Sequence, residues 1–326
     1  MGVNGGLLAV DAGNSKTDVA VLAPDGTVLG TARGGGFQPP LVGVAAAVDG
    51  LAEIVDRAWR AAGGPGDPAF AHVTACLANA DLPVEELELE RELLARGWSR
   101  SVRVHNDTFA ILRAGIDEPR GVAVVCGAGV NCVGMTPDGR TARFPAIGKI
   151  SGDWGGGGGL SDEAMWFAAR AEDGRGEPTE LARALPAHFG LDTMYALIEA
   201  VHLGRIPHAR RHELTPVLFR VAAEGDPVAL SLVHRMAEEV VALSTVALRR
   251  LGLLDEEAPV VLGGSVLAAR HPQLEDRIRA LLAERAPKAD VRFVTAPPVL
   301  GAGLLALDER RADAEAARRL REHYAA

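Results

Sequence analysis

Short apolar runs separated by polar turns dominate the amino-terminal part of the chain. Leu7–Val10 is a continuous apolar run, and Val19–Leu22 is a second one after a polar turn. Runs of this length between turn signals predict buried strands. The turn signal Pro24-Asp25-Gly26 comes next, and residues 27–32 then predict a third strand. The beginning of the chain therefore predicts an antiparallel meander.

Helical periodicity follows the glycine-rich loop at residues 34–36. Apolar residues recur on one helical face from Leu41 to Ala58, which predicts a single helix of about five turns. Residues 84–96 predict a second helix in which Leu87 and Leu94 are buried. Short apolar strands are predicted after each helix, and the second of these ends just before His105.

The order of elements at the amino terminus occurs a second time. Gly121–Cys126 predicts a strand, Gly127–Asn131 a tight turn and Cys132–Met135 another strand. A second Pro-Asp-Gly turn follows at residues 137–139. We interpret the two occurrences as two structurally related domains, each opening with a hairpin whose turn binds phosphate.

Helical patterns fill most of the remaining chain. Five consecutive glycines at residues 155–159 favour a flexible hinge or loop, with a helix resuming near Asp162. Asp226 before Pro227 predicts the N-cap of a long buried helix. Residues 258–265 predict a strand that ends in a glycine pair at the start of a helix.

Composition narrows the class of function. A chain of 326 residues suggests two domains. Its net charge of -9 and its aromatic content of 4% argue against a nucleic-acid-binding surface, which needs basic and aromatic side chains. No apolar run reaches membrane-spanning length, and no signal segment is present, so we expect a cytoplasmic protein. Cys76, Cys126 and Cys132 follow no zinc-binding spacing and are expected to be small buried residues.

The turn at Asp11–Thr17 concentrates polar groups in a few residues, which predicts a bound phosphate held by a nest of backbone N–H groups. A P-loop would need glycines where the chain has Val10 and Ser15. A dinucleotide-binding fold would need a helix after the turn, whereas residues 17–22 continue as a strand. A third design is the paired phosphate hairpin of actin-like ATPases and sugar kinases, which needs two such hairpins, an acidic residue in the first and a late Gly-Gly pair. The chain contains these features in that order.

The turns at Asp11–Thr17 and Gly127–Asn131 and the late Gly263-Gly264-Ser265 together make the chain similar to a known family. It resembles the N-acetylglucosamine kinase branch of the BadF/BadG/BcrA/BcrD-type ATPase family, over nearly its whole length. The resemblance implies an α/β fold with two ribonuclease H-like domains, each a mixed sheet flanked by helices, and an active-site cleft between them. The implied domains are residues 1–118, completed by a C-terminal helix at about 304–326, and residues 119–303.

The resemblance also implies roles for individual residues. Asp11 would hold Mg²⁺ through coordinated water, and Asp107 would accept the proton of the attacking sugar hydroxyl. The implied ATP phosphate-binding residues are Asp11, Gly13, Asn14, Ser15, Lys16, Thr17, Gly127, Ala128 and Gly129. The implied adenosine-binding residues are Gly263, Gly264 and Ser265, and the implied sugar-binding residues are Gln38, Asn79, Asp107, Asn131 and Asp153. A plainer alternative stays open at one position, where Asn106 or Asp107 caps the helix that follows.

The implied activity is ATP- and Mg²⁺-dependent transfer of a phosphoryl group to a hydroxyl of an amino sugar that is N-acetylglucosamine-like or glucosamine-like. The chain departs from the family pattern at Ala128, where a hydroxyl residue is usual, at Trp154 and at residues 37–40. Two other classes stay open. One is an ATPase activator with an iron–sulfur cluster, for which Cys126 and Cys132 are poorly placed, and the other is a non-catalytic sugar or nucleotide sensor. We expect a homodimer that binds a small sugar and neither nucleic acid nor membrane.

Overall fold

A computed structural model describes residues 5–325 and contains two five-stranded mixed sheets with helices packed around them, which confirms the predicted α/β class. Contacts between Cα atoms divide the chain into two compact units. Unit 1 comprises Met1–Ala123, Val133–Pro145 and Val294–Ala326, and unit 2 comprises Val124–Cys132 and Ala146–Phe293. The domain limits implied by the sequence stay a prediction, and their outermost residues, 1–4 and 326, lie outside the described residues.

The strands are β1 (Leu7–Ala12), β2 (Lys16–Leu22), β3 (Val28–Gly35), β4 (His72–Leu77), β5 (Val102–Asn106), β6 (Gly121–Cys126), β7 (Val130–Met135), β8 (Thr141–Arg143), β9 (Ala258–Gly263) and β10 (Ala289–Phe293). The first sheet has the order β3-β2-β1-β4-β5, and the second has the order β10-β9-β6-β7-β8. The first three strands are antiparallel, as the predicted meander requires. Strands β1, β4 and β5 are parallel, so their carboxyl ends meet at one edge of the sheet.

The helices are α1 (Pro39–Val42), α2 (Val44–Ala61), α3 (Pro83–Ala95), α4 (Thr108–Gly115), α5 (Gly156–Glu172), α6 (Leu181–His188), α7 (Met194–His202), α8 (Leu214–Ala223), α9 (Pro227–Leu251), α10 (Ser265–Ala268), α11 (Pro272–Arg285), α12 (Pro298–Glu309) and α13 (Ala314–Ala325). The N-cap predicted for α9 is confirmed, because Asp226 accepts a hydrogen bond from the backbone N–H of Ala229 at 2.8 Å. Among residues 5–325, no helix combines the length and the apolar character that crossing a membrane requires.

Two of the helix predictions in unit 1 are wrong in detail. The single helix predicted from Leu41 is interrupted by Gly43, whose φ of 87° lies in the left-handed region and separates α1 from α2. In α3, Leu87 is 52% exposed and Leu94 is 42% exposed. Apolar and charged residues alternate around this helix, and the buried positions are instead Leu89 and Leu93.

Unit 1 has its hydrophobic core between the first sheet and helices α2 and α3, with Val10, Val48, Leu51 and Leu89 among its members. Helix α3 also covers the edge of the sheet at β5. Its Glu90 accepts a hydrogen bond from the backbone N–H of Val104 at 3.1 Å, and its Glu86 accepts one from that of Asn106 at 3.2 Å.

The carboxyl-terminal helix α12 also belongs to unit 1, where it packs against β1, β4 and α4. A Cβ atom at Gly301 would lie only 1.8 Å from the carbonyl oxygen of Ala110, so the approach of α12 to α4 requires glycine. At the end of α12, Glu309 accepts hydrogen bonds from the Nε2 atoms of His72 and His105, both at 2.7 Å. Burial raises the pKa of Glu309, but these hydrogen bonds and charges outweigh it and lower the pKa to about 2.

In unit 2, the five glycines do not form the flexible loop that their composition favours. Helix α5 begins inside the run, and its first turn contacts the β6–β7 turn. The backbone N–H of Gly157 donates to the Gly127 carbonyl oxygen at 2.8 Å, and that of Gly158 to the Ala128 carbonyl oxygen at 2.9 Å. A Cβ atom at Gly156 would lie 2.4 Å from the carbonyl carbon of Gly129, so the missing side chain permits this contact.

Candidate functional site

The turn between β1 and β2 is tightly closed. The backbone N–H of Gly13 donates to the Lys16 carbonyl oxygen at 2.9 Å, and that of Phe37 donates to the Gly13 carbonyl oxygen at the same distance. Asn14, Ser15 and Lys16 are exposed on it, whereas Thr17 is buried. The turn therefore exposes polar residues to solvent, while backbone hydrogen bonds hold it closed.

Two residues predicted to bind sugar are hydrogen-bonded to this turn. Gln38 Nε2 donates to the Asn14 carbonyl oxygen at 2.8 Å, and Asn79 Nδ2 donates to Asn14 Oδ1 at 3.0 Å. Asn79 Nδ2 also donates to the carbonyl oxygen of Phe37 at 3.2 Å. Asn79 has a φ of 63°, a conformation that asparagine tolerates better than most residues. The predicted phosphate turn and the predicted sugar loops therefore form one hydrogen-bonded network.

Two predicted site carboxylates lie at the carboxyl edge of the first sheet. Asp11 is 6% exposed, and burial together with the charges of Asp107 and Asp18 raises its pKa to about 8, against the opposing effect of Lys16. Burial also raises the pKa of Asp107 to about 6, although the backbone N–H groups of Thr108 and of Asp107 itself act to lower it. Asp11 and Asp107 therefore lie close enough for the charge of Asp107 to raise the pKa of Asp11.

A third carboxyl group at this edge was not predicted. Asp81 follows β4 by a few residues, and burial with the charges of Asp107 and Glu85 raises its pKa to about 7. Arg143 and a hydrogen bond from Asn106 oppose that rise. A carboxylate a few residues after a buried strand was the only signal for Asp81 in the sequence. Its hydrogen bond to Asn106, at the end of β5, depends on the pairing of β4 with β5, which the sequence does not reveal.

The donor set at Asp11 fits a magnesium ion held mainly by ligands other than protein. In the part of the chain that the structure describes, no group of three or more His, Cys, Asp and Glu side chains is placed to hold a metal. Mg²⁺ commonly takes one or two carboxylates and completes its octahedron with water and substrate phosphates. A cation near Asp11 would also offset the burial and the like charges that raise the pKa of this carboxyl group.

In unit 2, the β6–β7 turn is closed by the backbone N–H of Gly127, which donates to the Gly129 carbonyl oxygen at 3.0 Å. Ala128 and Gly129 are exposed at its tip. The glycine pair after β9 lies next to it, because a Cβ atom at Gly264 would come within 2.3 Å of the Cys126 carbonyl oxygen. The second predicted phosphate turn and the predicted adenosine motif are thus neighbours.

A cavity of about 300 Å³ adjoins these two motifs. It is lined by Gly127, Ala128, Gly157, His212, Thr215, Pro216, Phe219, Ser265, Val266, Ala269 and His271. The rings of Phe219 and His271 stack in it, with centroids 4.0 Å apart and planes 5° apart. Burial lowers the pKa of His271, which favours the uncharged ring. Phe219 and His271 were not predicted, since they are far apart in the chain and no motif joins them.

Asp153 and Asn131 are the remaining residues predicted to bind sugar, and Asp153 is described first. Its Oδ2 atom accepts hydrogen bonds from the backbone N–H of Gly148 at 2.8 Å and from Ser151 Oγ at 2.7 Å. The next residue, Trp154, stacks under the Arg235 guanidinium, whose carbon lies 4.2 Å from the ring centroid. Asn131 Oδ1 accepts from the backbone N–H of Cys132 at 2.7 Å.

The cysteines are all buried, as predicted. Burial raises the pKa of the Cys126 and Cys132 thiols well above the usual range. Because iron–sulfur clusters are held by thiolates, this environment disfavours the iron–sulfur alternative.

Two five-stranded mixed sheets flanked by helices give the chain the fold of the actin-like sugar kinases. A model of the BadF/BadG/BcrA/BcrD ATPase family matches residues 8–306, and the chain belongs to this family. The resemblance stated from the sequence is therefore confirmed.

Comparison with three related proteins shows which members of the family this chain is similar to. The chain is 26% identical to an N-acetyl-D-glucosamine kinase of Dictyostelium discoideum over 230 residues, which is 68% of this chain and 72% of that protein. It is 25% identical to an N-acetylmuramic acid/N-acetylglucosamine kinase of Clostridium acetobutylicum over 232 residues, 71% of this chain and 76% of that protein. A crystal structure of a protein provisionally named N-acetylglucosamine kinase, from Chromobacterium violaceum, superposes with a TM-score of 0.70. Its sequence is 27% identical, and the match covers 92% of this chain and 98% of that one.

Proposed function

We propose that this protein is an ATP- and Mg²⁺-dependent kinase that phosphorylates a hydroxyl group of an amino sugar, with N-acetylglucosamine as the first candidate. The names of its relatives support the reaction class. The observation that carries the proposal is Asp107, a half-buried residue at the carboxyl edge of the first sheet, whose carboxyl group has a pKa of about 6.

Asp107 is suited to act as the general base. With a pKa of about 6 it is mostly ionised near neutral pH, yet it is more basic than an ordinary aspartate. In the proposed step its carboxylate accepts the proton of the sugar hydroxyl while that oxygen forms a bond to the γ-phosphorus. The bond from the γ-phosphorus to the β,γ-bridging oxygen breaks in line, and ADP leaves with that oxygen.

Asp11 is the residue proposed to hold Mg²⁺ through coordinated water. When bound, the ion would neutralise charge on the transferred and leaving phosphates. Lys16, on the same turn, would add a positive charge close to Asp11. The exposed backbone of Asn14 and Ser15 would supply N–H donors to phosphate oxygens.

The unit 2 cavity is the proposed adenosine site. Its stacked pair, Phe219 and uncharged His271, offers an apolar surface of the kind that binds a flat base. Ser265 and the turn at Gly127–Gly129 line or border the same cavity, which would place phosphates near that turn. With Ala128 at the tip, the contacts of this turn to phosphate would come from backbone N–H groups alone.

The test is an ADP-release assay over glucosamine, N-acetylglucosamine, N-acetylmannosamine, N-acetylmuramic acid and glucose, with the Asp107→Asn variant beside the wild type. We expect one or more amino sugars to stimulate ADP release. Asp107→Asn should lower the rate by about 10²-fold or more while nucleotide binding is kept. Sugar-independent hydrolysis, or binding of nucleotide without any turnover, would instead favour the sensor alternative. A homodimer is part of the same proposal and is tested by light scattering.

A further inference from the structure

We propose that Asp81 is a positioning residue for Asp107: it fixes the side chain of Asn106 so that Asn106, rather than Asp107, caps helix α4. This inference rests on the proposed function, because it takes Asp107 as the base.

The Asn106 side chain links the two aspartates. It is 2% exposed, and its two ends make different hydrogen bonds. Its Nδ2 atom donates to Asp81 Oδ1 at 2.8 Å, and its Oδ1 atom accepts from the backbone N–H of Thr108 at 3.0 Å. Asn106 therefore satisfies the first free N–H of α4, while Asp107 makes no side-chain cap bond to this helix.

The orientation of this amide depends on Asp81. An asparagine amide has one accepting and one donating end, and either end fits the same space. In its ionised form a carboxylate can only accept, and in that form Asp81 selects the orientation that directs Nδ2 toward itself. That orientation directs Oδ1 to the Thr108 N–H. With the amide reversed, two donors would face each other at Thr108 and two acceptors would face each other at Asp81.

Without this arrangement, Asp107 would compete for the same N–H group. Aspartate is among the best N-cap residues, and the Thr108 N–H already acts on the Asp107 carboxylate strongly enough to oppose the rise in its pKa. A capping carboxylate is stabilised in its charged form and is turned toward the helix. It would be a weaker base. Because Asn106 Oδ1 accepts the Thr108 N–H, the charged form of the Asp107 carboxylate is stabilised less than it would be as the sole cap.

Hydrogen bonds to the backbone of Asp81 and of its neighbours hold this residue in place. Glu85 Oε2 accepts hydrogen bonds from the N–H groups of Asp81 at 3.0 Å and Leu82 at 2.8 Å. Arg143 Nη1 donates to Glu86 Oε2 at 2.6 Å, and its Nη2 lies 3.4 Å from the carbonyl oxygens of Ala80 and Asp81. These contacts hold the backbone at Asp81 and so position its carboxylate for the hydrogen bond to Asn106.

The test compares Asp81→Ala, which removes the acceptor, with Asp81→Asn, which keeps an accepting oxygen. Asp81→Ala should lower kcat by about 10- to 100-fold and change KM for ATP and sugar by less than about twofold. Asp81→Asn should recover most of that loss. Glu88→Ala, at an exposed carboxylate on helix α3, which begins two residues after Asp81, is the matched control and should match the wild type.

A double-mutant cycle distinguishes positioning from an independent or purely structural role. If Asp81 acts through Asp107, adding Asp81→Ala to Asp107→Asn should lower the residual rate no further. An equal loss in both backgrounds, or an unchanged kcat for Asp81→Ala, would overturn the inference. Should Asp81→Ala fail to fold, Asn106→Ala removes the same link from the other side and enters the same cycle. Near-normal turnover by Asp107→Asn alone would instead refute the proposed base.

Discussion

Asn79 Nδ2 donates to Asn14 Oδ1 at 3.0 Å, which attaches the loop after β4 to the turn between β1 and β2. These residues are far apart in the chain and become neighbours only because β1 and β4 are parallel partners. The loop proposed to bind sugar is therefore positioned by the turn proposed to bind phosphate.

Asn79 contributes both a backbone conformation with positive φ and side-chain hydrogen bonds, and replacing it by glycine separates the two. Glycine accepts the φ of 63° without strain but loses the hydrogen bonds to Asn14 and Phe37. We expect the free energy of unfolding to change by no more than about 1 kcal/mol, because backbone relief offsets the lost bonds. KM for ATP and sugar should rise by several-fold. A kinetic profile equal to that of the wild type would show that the link does not order the site.

Two glycines in one run give a matched pair in unit 2. Gly156→Ala introduces a Cβ atom 2.4 Å from Gly129 at a φ of 67°, whereas Gly159 has no atom within 4 Å of such a Cβ. We expect Gly156→Ala to destabilise unit 2 by a few kcal/mol and to weaken nucleotide binding. Gly159→Ala should be neutral or stabilising by up to about 1 kcal/mol, because alanine favours a helix. Thermal unfolding and nucleotide titration of both variants measure the difference, and equal effects would contradict the contact.

Glu309 predicts a pH dependence of stability. Its pKa is depressed from 4.5 to about 2, so its contribution is present above the unfolded value and is lost as the pH falls through about 2. Glu309→Gln should therefore cost on the order of 3 kcal/mol at pH 7 and somewhat less than half of that at pH 3. Urea unfolding of both proteins at the two pH values measures this. A difference that does not shrink on acidification would mean that the bonds to His72 and His105 do not favour the ionised form.

The pH profile of the reaction should report Asp107. With a pKa of about 6 for this carboxyl group, kcat/KM should fall about tenfold per pH unit below that value. The residual activity of Asp107→Asn should lack this acid limb. Should the variant retain the limb, the titrating group is another one.

The stacked pair in the unit 2 cavity gives a prediction specific to the nucleotide. Phe219→Ala removes the partner of His271 and should raise KM for ATP about tenfold without changing KM for the sugar. Trp166→Ala, at an aromatic residue that is 52% exposed in the same unit, should leave both values unchanged. A parallel rise in both KM values would indicate a general loss of structure instead.

Local chemistry made part of this fold predictable. The meander and both hairpins were evident because short apolar runs and Pro-Asp-Gly turns act over a few residues. The break at Gly43 and the exposure of Leu87 were missed, since a positive φ and the choice of buried face depend on the surrounding sheet. The glycine run was misread because its contact with Gly129 is long-range.

The site divides in the same way. Asp11 lies at the end of β1 and Asp107 directly follows β5, so a motif could identify them. Asp81 depends on Asn106 of a neighbouring strand, and the ring of Phe219 in α8 stacks on that of His271, which directly precedes α11. No local pattern marks either pair.

Strand β5 ends the first sheet on one side, and unpaired N–H groups on such a strand invite a strand of another molecule to add to it. Glu86 and Glu90 already accept the N–H groups of Asn106 and Val104. Helix α3 thus protects this edge against self-association as well as covering the core. A variant carrying alanine at both Glu86 and Glu90 would be expected to aggregate on storage.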